Sequence, residues 1–414
     1  MLSILFSTLA VMCYNNKITK LEKKLAMSVT MNKIKVLHTM TWLAPGGGVD
    51  IEVYFAIRGL LEEEFDVHFL VGSEVHHNPF LELKKLKFLV CDDLVRPIQI
   101  FKDLKALWFI YKLIRKERYD IVHTHETKAS LLTRVAAWLA GSRCIIYGLH
   151  GVSFNDPRSI VTRLFYRWLE KSTVWMAHHI VFVGQDAVEC YHRAKIGNKI
   201  PYTIIYPGID VNKFISPSST SSNLREKLGI ANNDILIINI GRFSFAKAQK
   251  YTILIFYELS KQYANIRLLF VGEGDCREAC IGLSKELGIE EKVIFHPFTS
   301  DVPSLLHIAD ISVITSLREG QPRVVVEASL CKVPTVGFDV EGIKEIIKND
   351  YSGFIVPQYD VTALTEKIKI LIDNPEKRRI FAERAFEHTK INWDYNIMVD
   401  KTKELYSHLM SPHL

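Results

Sequence analysis

The sequence predicts an α/β protein made of two Rossmann-like domains whose parallel sheets face a cleft. Three observations carry this. Short apolar runs of strand composition alternate with longer amphipathic stretches along almost the whole chain, the pattern of repeated βαβ units. Several of the runs are apolar without clean alternation, which is how a strand reads when both of its faces are covered. The alternation breaks once, near residue 207, and restarts; 414 residues suit two such domains better than one.

Taken in order, the first 30 residues stand apart. Leu2 to Val11 is apolar but too short to span a bilayer, with no basic stretch before it and no cleavage site after it. Residues 1–30 are expected to be a disordered leader or a mis-called start, the other reading being a weak membrane-surface anchor. The first domain is expected over 31–206, with strands at Ile34–His38, Val67–Val71, Lys87–Val90, Ile121–His125, Cys144–His150, Ile180–Val183 and Ile204–Tyr206. Pro207-Gly208 then breaks the pattern, and a polar Ser/Thr-rich stretch follows, so 207–223 reads as a linker. A second domain is expected over 224–390, with strands at Ile235–Gly241, Ile266–Val271, Val293–Phe295, Ile311–Thr315, Thr335–Phe338 and Phe354–Val356. Residues 391–414 read as a helix returning to the first domain.

Composition narrows the class. Hydrophobic residues are 48% and charged residues 24%, the balance of a folded globular protein. The net charge of +6 suits contact with nucleotide phosphates or an anionic membrane face and does not point to nucleic acid. No run approaches about 18 uninterrupted apolar residues, so a soluble or peripheral cytoplasmic protein is expected. Cysteines at 13, 91, 144, 190, 276, 280 and 331 are scattered and odd in number, which reads as free thiols in a reducing compartment.

Four motifs can carry chemistry. Gly46, Gly47 and Gly48 follow the first strand. Glycines there let backbone amides approach a phosphate or a sugar, although three glycines are also an ordinary turn. Gly241-Arg242 ends the second domain's first strand with Lys247 five residues on; such cations suit a diphosphate, or form a solvated basic loop. The most specific run is Glu319-Gly320-Gln321-Pro322-Arg323 ahead of an apolar helix containing Glu327. Pro322 suits the first helical turn, and the preceding amides would form an anion site at the helix N-terminus. His150-Gly151 ends a strand, where the imidazole can bond a sugar hydroxyl or serve as a half-buried structural group. His123 and His125 share one face of a strand while Glu126 points away, so packing is the expected role and a metal the minor reading.

Together these residues resemble the retaining glycosyltransferases of family 4, with the GT-B fold. The resemblance rests on Gly46–Gly48, His150-Gly151, the junction Tyr206-Pro207-Gly208-Ile209-Asp210, Gly241-Arg242-Phe243-Ser244 with Lys247, Val271-Gly272-Glu273-Gly274, and Ala309-Asp310 running into Glu319 and Glu327. It implies a nucleotide-sugar substrate, UDP- or GDP-linked, with no cofactor and no metal. Arg242 and Lys247 would hold its diphosphate, Glu327 its ribose, and Glu319, Gly320, Gln321, Pro322 and Arg323 its sugar and phosphates. Gly241 and Phe298 belong to the same donor set. His150 would approach the sugar from the first domain, with Gly47 and Gly48 closing over it. His150, Glu319, Arg242 and Lys247 would be the catalytic group. The sequence departs from the family at Ala248, where glycine is usual after the lysine, and at Val49-Asp50, where a glutamate is common.

The implied reaction is glycosyl transfer with retention, the leaving diphosphate being stabilised by cations and a helix N-terminus in place of a metal. The implied acceptor is a saccharide or lipid-linked saccharide of a surface polysaccharide. The alternatives are a sugar-nucleotide epimerase of the same fold and a catalytically silent binding protein. Lys102, Lys105, Lys112, Arg115, Lys116 and Arg118 surround Leu107-Trp108-Phe109-Ile110, and Arg163 to Leu169 has the same mixed character. Such helices either pack on the sheet or lie on an anionic membrane surface.

Overall fold

The computed structural model describes residues 33–43, 47–63, 65–75, 78–155, 159–216 and 223–411. The expected leader 1–30, Gly46 and linker residues 217–222 lie outside the described residues.

Twelve of the thirteen expected runs coincide with strands, the thirteenth, Ile204–Tyr206, meets a strand only at Ile204, and every pair is parallel. The first sheet holds β1 (Ile34–Met40), β2 (Phe65–Gly72), β3 (Lys87–Cys91), β4 (Ile121–Thr124), β5 (Cys144–Leu149), β6 (His179–Phe182) and β7 (Tyr202–Ile204), in the order β3-β2-β1-β4-β5-β6-β7. The second holds β8 (Ile235–Ile240), β9 (Ile266–Val271), β10 (Val293–His296), β11 (Ile311–Ile314), β12 (Thr335–Phe338) and β13 (Gly353–Val356), in the order β10-β9-β8-β11-β12-β13. Strand ends differ from expectation by a residue or two, and β4 shows why. It stops at Thr124 because Glu126 takes φ 60° to turn into the helix Thr127–Leu139, and its carboxylate accepts from the Thr41 amide at 2.9 Å.

In both sheets the strand order reverses beside the first strand, between β1 and β4 and between β8 and β11. Ligands of open parallel sheets bind outside the carboxyl ends at such a switch point. The loops after β1, β4, β8 and β11 carry most of the residues singled out in the sequence.

Two segments run between the domains side by side. The Ile209 amide donates to the Trp393 carbonyl at 2.7 Å and its carbonyl accepts from the Tyr395 amide at 3.0 Å. Within the expected linker 207–223, Ile209, Val211 and Phe214 pack with Trp393 into the second core, because apolar residues are interleaved there with the turn formers. The final helix, Tyr395–Met410, places Met398, Val399, Leu405 and Tyr406 in the first domain's core beside Val53, Ile57 and Leu60 of the helix Gly48–Leu61.

Candidate active site

Most of the residues expected to hold a donor sit at the carboxyl edge of the second sheet. Gly241 follows β8 directly, and the Arg242 guanidinium after it is exposed and makes no ion pair among the described residues. It lies 5.2 Å from the ring centre of Trp42, which follows β1 in the other domain. The Arg96 guanidinium sits 4.5 Å from the same ring, so one indole carries two cations, one from each domain. Lys247 pairs with Glu319, Nζ to Oε1 at 2.6 Å, which ties the loop after β8 to the loop after β11. The residue after Lys247, Ala248, holds a left-handed φ of 50°. This gives the family's usual glycine a physical reason: an alanine here carries steric strain that glycine would not.

Pro322 caps the helix Arg323–Leu330 instead of entering its first turn, which puts the amides of residues 320–322 in the loop just ahead of it. Glu327 lies on that helix and faces Arg323 at 3.6 Å. Arg323 also donates to the carbonyls of Gly48 and Gly208, each at 3.4 Å, so the helix start touches the glycine loop and the domain junction together. Gly47 caps the helix Gly48–Leu61, which gives the glycine loop a helix N-terminus of its own. The Gln321 side-chain amide is buried at the seam with neither polar atom bonded. Phe298, after the edge strand β10, is exposed.

His150 meets the second domain with its backbone, because Gly320 packs against its carbonyl. Its ring turns into the first domain. Nδ1 lies 3.1 Å from a Glu52 carboxylate oxygen and Nε2 2.9 Å from His125 Nδ1. Burial lowers the His150 pKa, but the facing carboxylates of Glu52, Glu126 and Asp50 outweigh it and the net shift is upward. Asp50 had replaced an expected glutamate; two residues later, Glu52 supplies a carboxylate to this histidine.

His123 and His125 do share a face, and His38 joins them, with ring nitrogens of all three within 4.8 Å of one another. Almost every one of these nitrogens is already bonded to another ring or to Tyr406. A metal ion would have to displace those bonds.

The domains are clasped elsewhere by groups that nothing in the sequence marked. Glu345 accepts from the amides of Gln185 and Asp186 at 2.9 and 3.2 Å, at the start of the helix Gln185–Ala194. Asp186 accepts in return from the Gly342 amide at 2.9 Å. Glu341 bonds Asn155 across the same seam, and burial raises its pKa to about 7.

Two family models cover most of the chain. Residues 46–213 match glycosyltransferase family 4 and residues 220–388 match glycosyl transferases group 1. The chain belongs to the family 4 glycosyltransferases. Its fold is GT-B, and the sheets, switch points and seam above are this family's two-domain architecture. A similar relative is the Escherichia coli UDP-Gal:alpha-D-GlcNAc-diphosphoundecaprenol alpha-1,3-galactosyltransferase, 27% identical over 92% of this chain and 98% of that protein. Another is the Campylobacter jejuni N,N'-diacetylbacillosaminyl-diphospho-undecaprenol alpha-1,3-N-acetylgalactosaminyltransferase, 26% identical over 86% of this chain and 94% of that one. Among solved structures, Anabaena HepE in complex with UDP and glucose superposes with a TM-score of 0.77 at 20% identity, covering 91% of this chain and all of that one.

Sequence reading missed Trp42, Arg96, Glu52, Asp186, Glu341 and Glu345. Each acts across a gap between distant segments, and no local spacing signals that. Glu52 alone had a cue, lying one helical turn after the glycine loop.

Proposed function

We propose that this glycosyltransferase moves a sugar from a UDP-linked donor to a saccharide carried on a lipid diphosphate, with retention of configuration, at an anionic membrane face. The observation that carries the donor half is the convergence of Arg242, Lys247 and the amides before the helix Arg323–Leu330 on one sheet edge. Cations and oriented amides held there in advance stabilise a departing diphosphate without reorganising, and they do so without a divalent metal. Arg242 and Lys247 serve the diphosphate, Glu327 the ribose, and Glu319 and the 320–323 loop the sugar. Retention by same-face attack is supported by the state of the candidate nucleophiles. Glu319 is tied to Lys247, and both His150 ring nitrogens are engaged.

The acceptor half rests on the relatives, which are named for diphosphoundecaprenol-linked substrates, and on one surface. The helix Ile100–Glu117 buries Ala106, Ile110 and Ile114 but exposes Phe101, Leu104, Trp108 and Phe109 between lysines 102, 105 and 112. The helix Ile160–Thr173 exposes Val161, Leu164, Phe165 and Trp168. Between them, Trp138 meets Trp175 edge-on at 5.3 Å. This mixed apolar and basic band suits the interface of an anionic bilayer. Among the described residues no helix is long and apolar enough to cross a membrane.

The test is release of nucleoside diphosphate from a panel of nucleotide sugars, with and without a lipid-diphosphate saccharide. Release that requires the acceptor, with an anomerically retained product by NMR, is expected. Epimerised donor, or donor binding with no turnover, would replace this reading with an epimerase or a silent binding protein. Co-sedimentation with phosphatidylglycerol vesicles should occur at low salt and be lost at high salt. No binding at low salt would remove the membrane role.

A further inference from the structure

The first domain buries four histidines and a tyrosine in one bonded line, which hydrophobic packing does not account for. His38 on β1 and His123 on β4 are register partners; His125 and His150 follow β4 and β5, and Tyr406 arrives from the last helix. From the cleft inward, Glu52 bonds His150 Nδ1 at 3.1 Å, and His150 Nε2 bonds His125 Nδ1 at 2.9 Å. His125 Nε2 then bonds His38 Nδ1 at 2.9 Å. His38 Nε2 bonds the Tyr406 hydroxyl at 3.2 Å, and that hydroxyl bonds His123 Nδ1 at 2.6 Å. The line ends at His123 Nε2, which is buried and without a partner. A cavity of about 20 Å³ is lined by His123, His125, Gly148 and His150. Gly148 keeps it open, since a Cβ there would lie 2.9 Å from His123 Nε2.

Each ring has one donor and one acceptor nitrogen when neutral, so the line permits two complete patterns. With His150 protonated, it donates through Nδ1 to Glu52 and through Nε2 to His125. His125 then donates to His38, His38 to Tyr406, and Tyr406 to His123, whose proton rests on Nε2. With His150 neutral, every bond beyond it reverses, and His123 keeps its proton on Nδ1. The two patterns differ by one proton. Moving each proton one link along the line discharges His150 and hands the last proton from His123 Nε2 to a water in the adjoining cavity, whose size suits one water and whose lining includes the Glu52 carboxylate as a further acceptor.

We propose that Glu52, His150, His125, His38, Tyr406 and His123 form a proton wire, and that the last four are positioning residues that set the charge and tautomer of His150 beside the donor sugar. This rests on the reading that places the sugar at the His150–Gly320 seam. The surroundings put the charge at the His150 end. Burial pushes the His38 pKa down to about 3 and holds those of His123 and His125 well below the usual range. His150 alone faces carboxylates: Glu52 and Asp50 from the helix Gly48–Leu61, and Glu126 from the loop after β4. On the far side, His179 of β6 faces His123 and adds no negative charge.

The test uses the full chain labelled with ¹⁵N-histidine and long-range ¹H–¹⁵N spectra across pH, alongside kcat/KM profiles. In the wild type, the tautomers of His38, His123 and His125 should switch at one common midpoint, the one at which His150 titrates. Tyr406→Phe cuts the line while keeping the ring, so His123 should stop following the others and the midpoint of the kcat/KM profile should move. His125→Leu, cut one bond from His150, should move the profile to lower pH, because the charged imidazolium loses its acceptor. Wild-type tautomers that never change, profiles that superimpose in both variants, or a stoichiometric transition metal in the purified protein would overturn the wire. Coupled tautomers in a wild type that transfers no sugar at any pH would uphold the wire and overturn the proposed function.

Discussion

Replacing Gly320 with alanine adds one methyl group at the seam between the domains. An ideal Cβ there would lie 1.8 Å from the His150 carbonyl oxygen, 2.7 Å from its carbonyl carbon and 3.1 Å from the Gly151 Cα. All three are backbone atoms of the opposite domain, so no rotamer change makes room. Gly320 is not among the residues with positive φ, so alanine strains nothing within its own loop. Non-bonded contacts settle at roughly 3.5 Å, so the seam must widen by about 1.7 Å. A misplacement of about 1 Å can slow a reaction roughly 100-fold, equivalent to about 2.7 kcal/mol of barrier. Gly320→Ala should therefore lower kcat/KM about 100-fold, while nucleoside diphosphate affinity by calorimetry and the unfolding temperature change little. Gly151→Ala is the control, since a Cβ there would meet Gly320 Cα at an ordinary 3.5 Å. A Gly320→Ala enzyme within threefold of wild type, or a Gly151→Ala enzyme equally impaired, would refute the steric argument.

Four further outcomes are expected. Lys247→Met removes a preorganised cation and should lower kcat by about 10²–10³-fold in the transfer assay. Ala248→Gly relieves a left-handed alanine worth roughly 1–2 kcal/mol, less the ~0.4–1 kcal/mol by which glycine favours the unfolded chain; urea denaturation should show a small net stabilisation. Glu170→Ala strands Arg134, 1% exposed with its Nη2 3.3 Å from Glu170 Oε2, and should cost about 3–5 kcal/mol in the same measurement. For Glu341 the folded pKa, about 7, lies above that of an unfolded carboxylate. Its contribution is thus present at low pH and lost as pH rises through about 7. The unfolding temperature of wild type should fall relative to Glu341→Gln between pH 5 and 8, and a constant difference would refute the assignment.

The fold was legible because each layer repeats one local rule. A parallel strand covered on both faces reads as an apolar run, and thirteen such runs with one break specify two sheets. The loop after β11 was legible for a similar reason: Glu319 to Glu327 lie within nine consecutive residues, so strand, turn and helix start are read together. The first-domain side was not. His150 showed as a strand-end histidine, but its ring environment comes from Glu52, 98 residues earlier, and from His125. The clasp of Asp186 with Gly342, and of Glu345 with Gln185, joins segments more than 150 residues apart. The basic aromatic helices left two readings open because an amphipathic pattern does not say how many apolar residues the sheet will cover. The helix Ile100–Glu117 buries one stripe and leaves another outside.

The return of the last helix to the first domain carries a consequence for biogenesis. The first sheet emerges early from the ribosome, yet Met398, Val399, Leu405 and Tyr406, which close its core, are made only after the whole second domain. N-terminal domains commonly fold first during synthesis. Here the N-terminal half must wait, with Val53, Ile57 and the His123 ring uncovered, until the whole second domain has been translated. A chain truncated after Asp394 would keep Trp393 in the C-terminal core and leave the N-terminal core open, and would be a natural client for a holding chaperone.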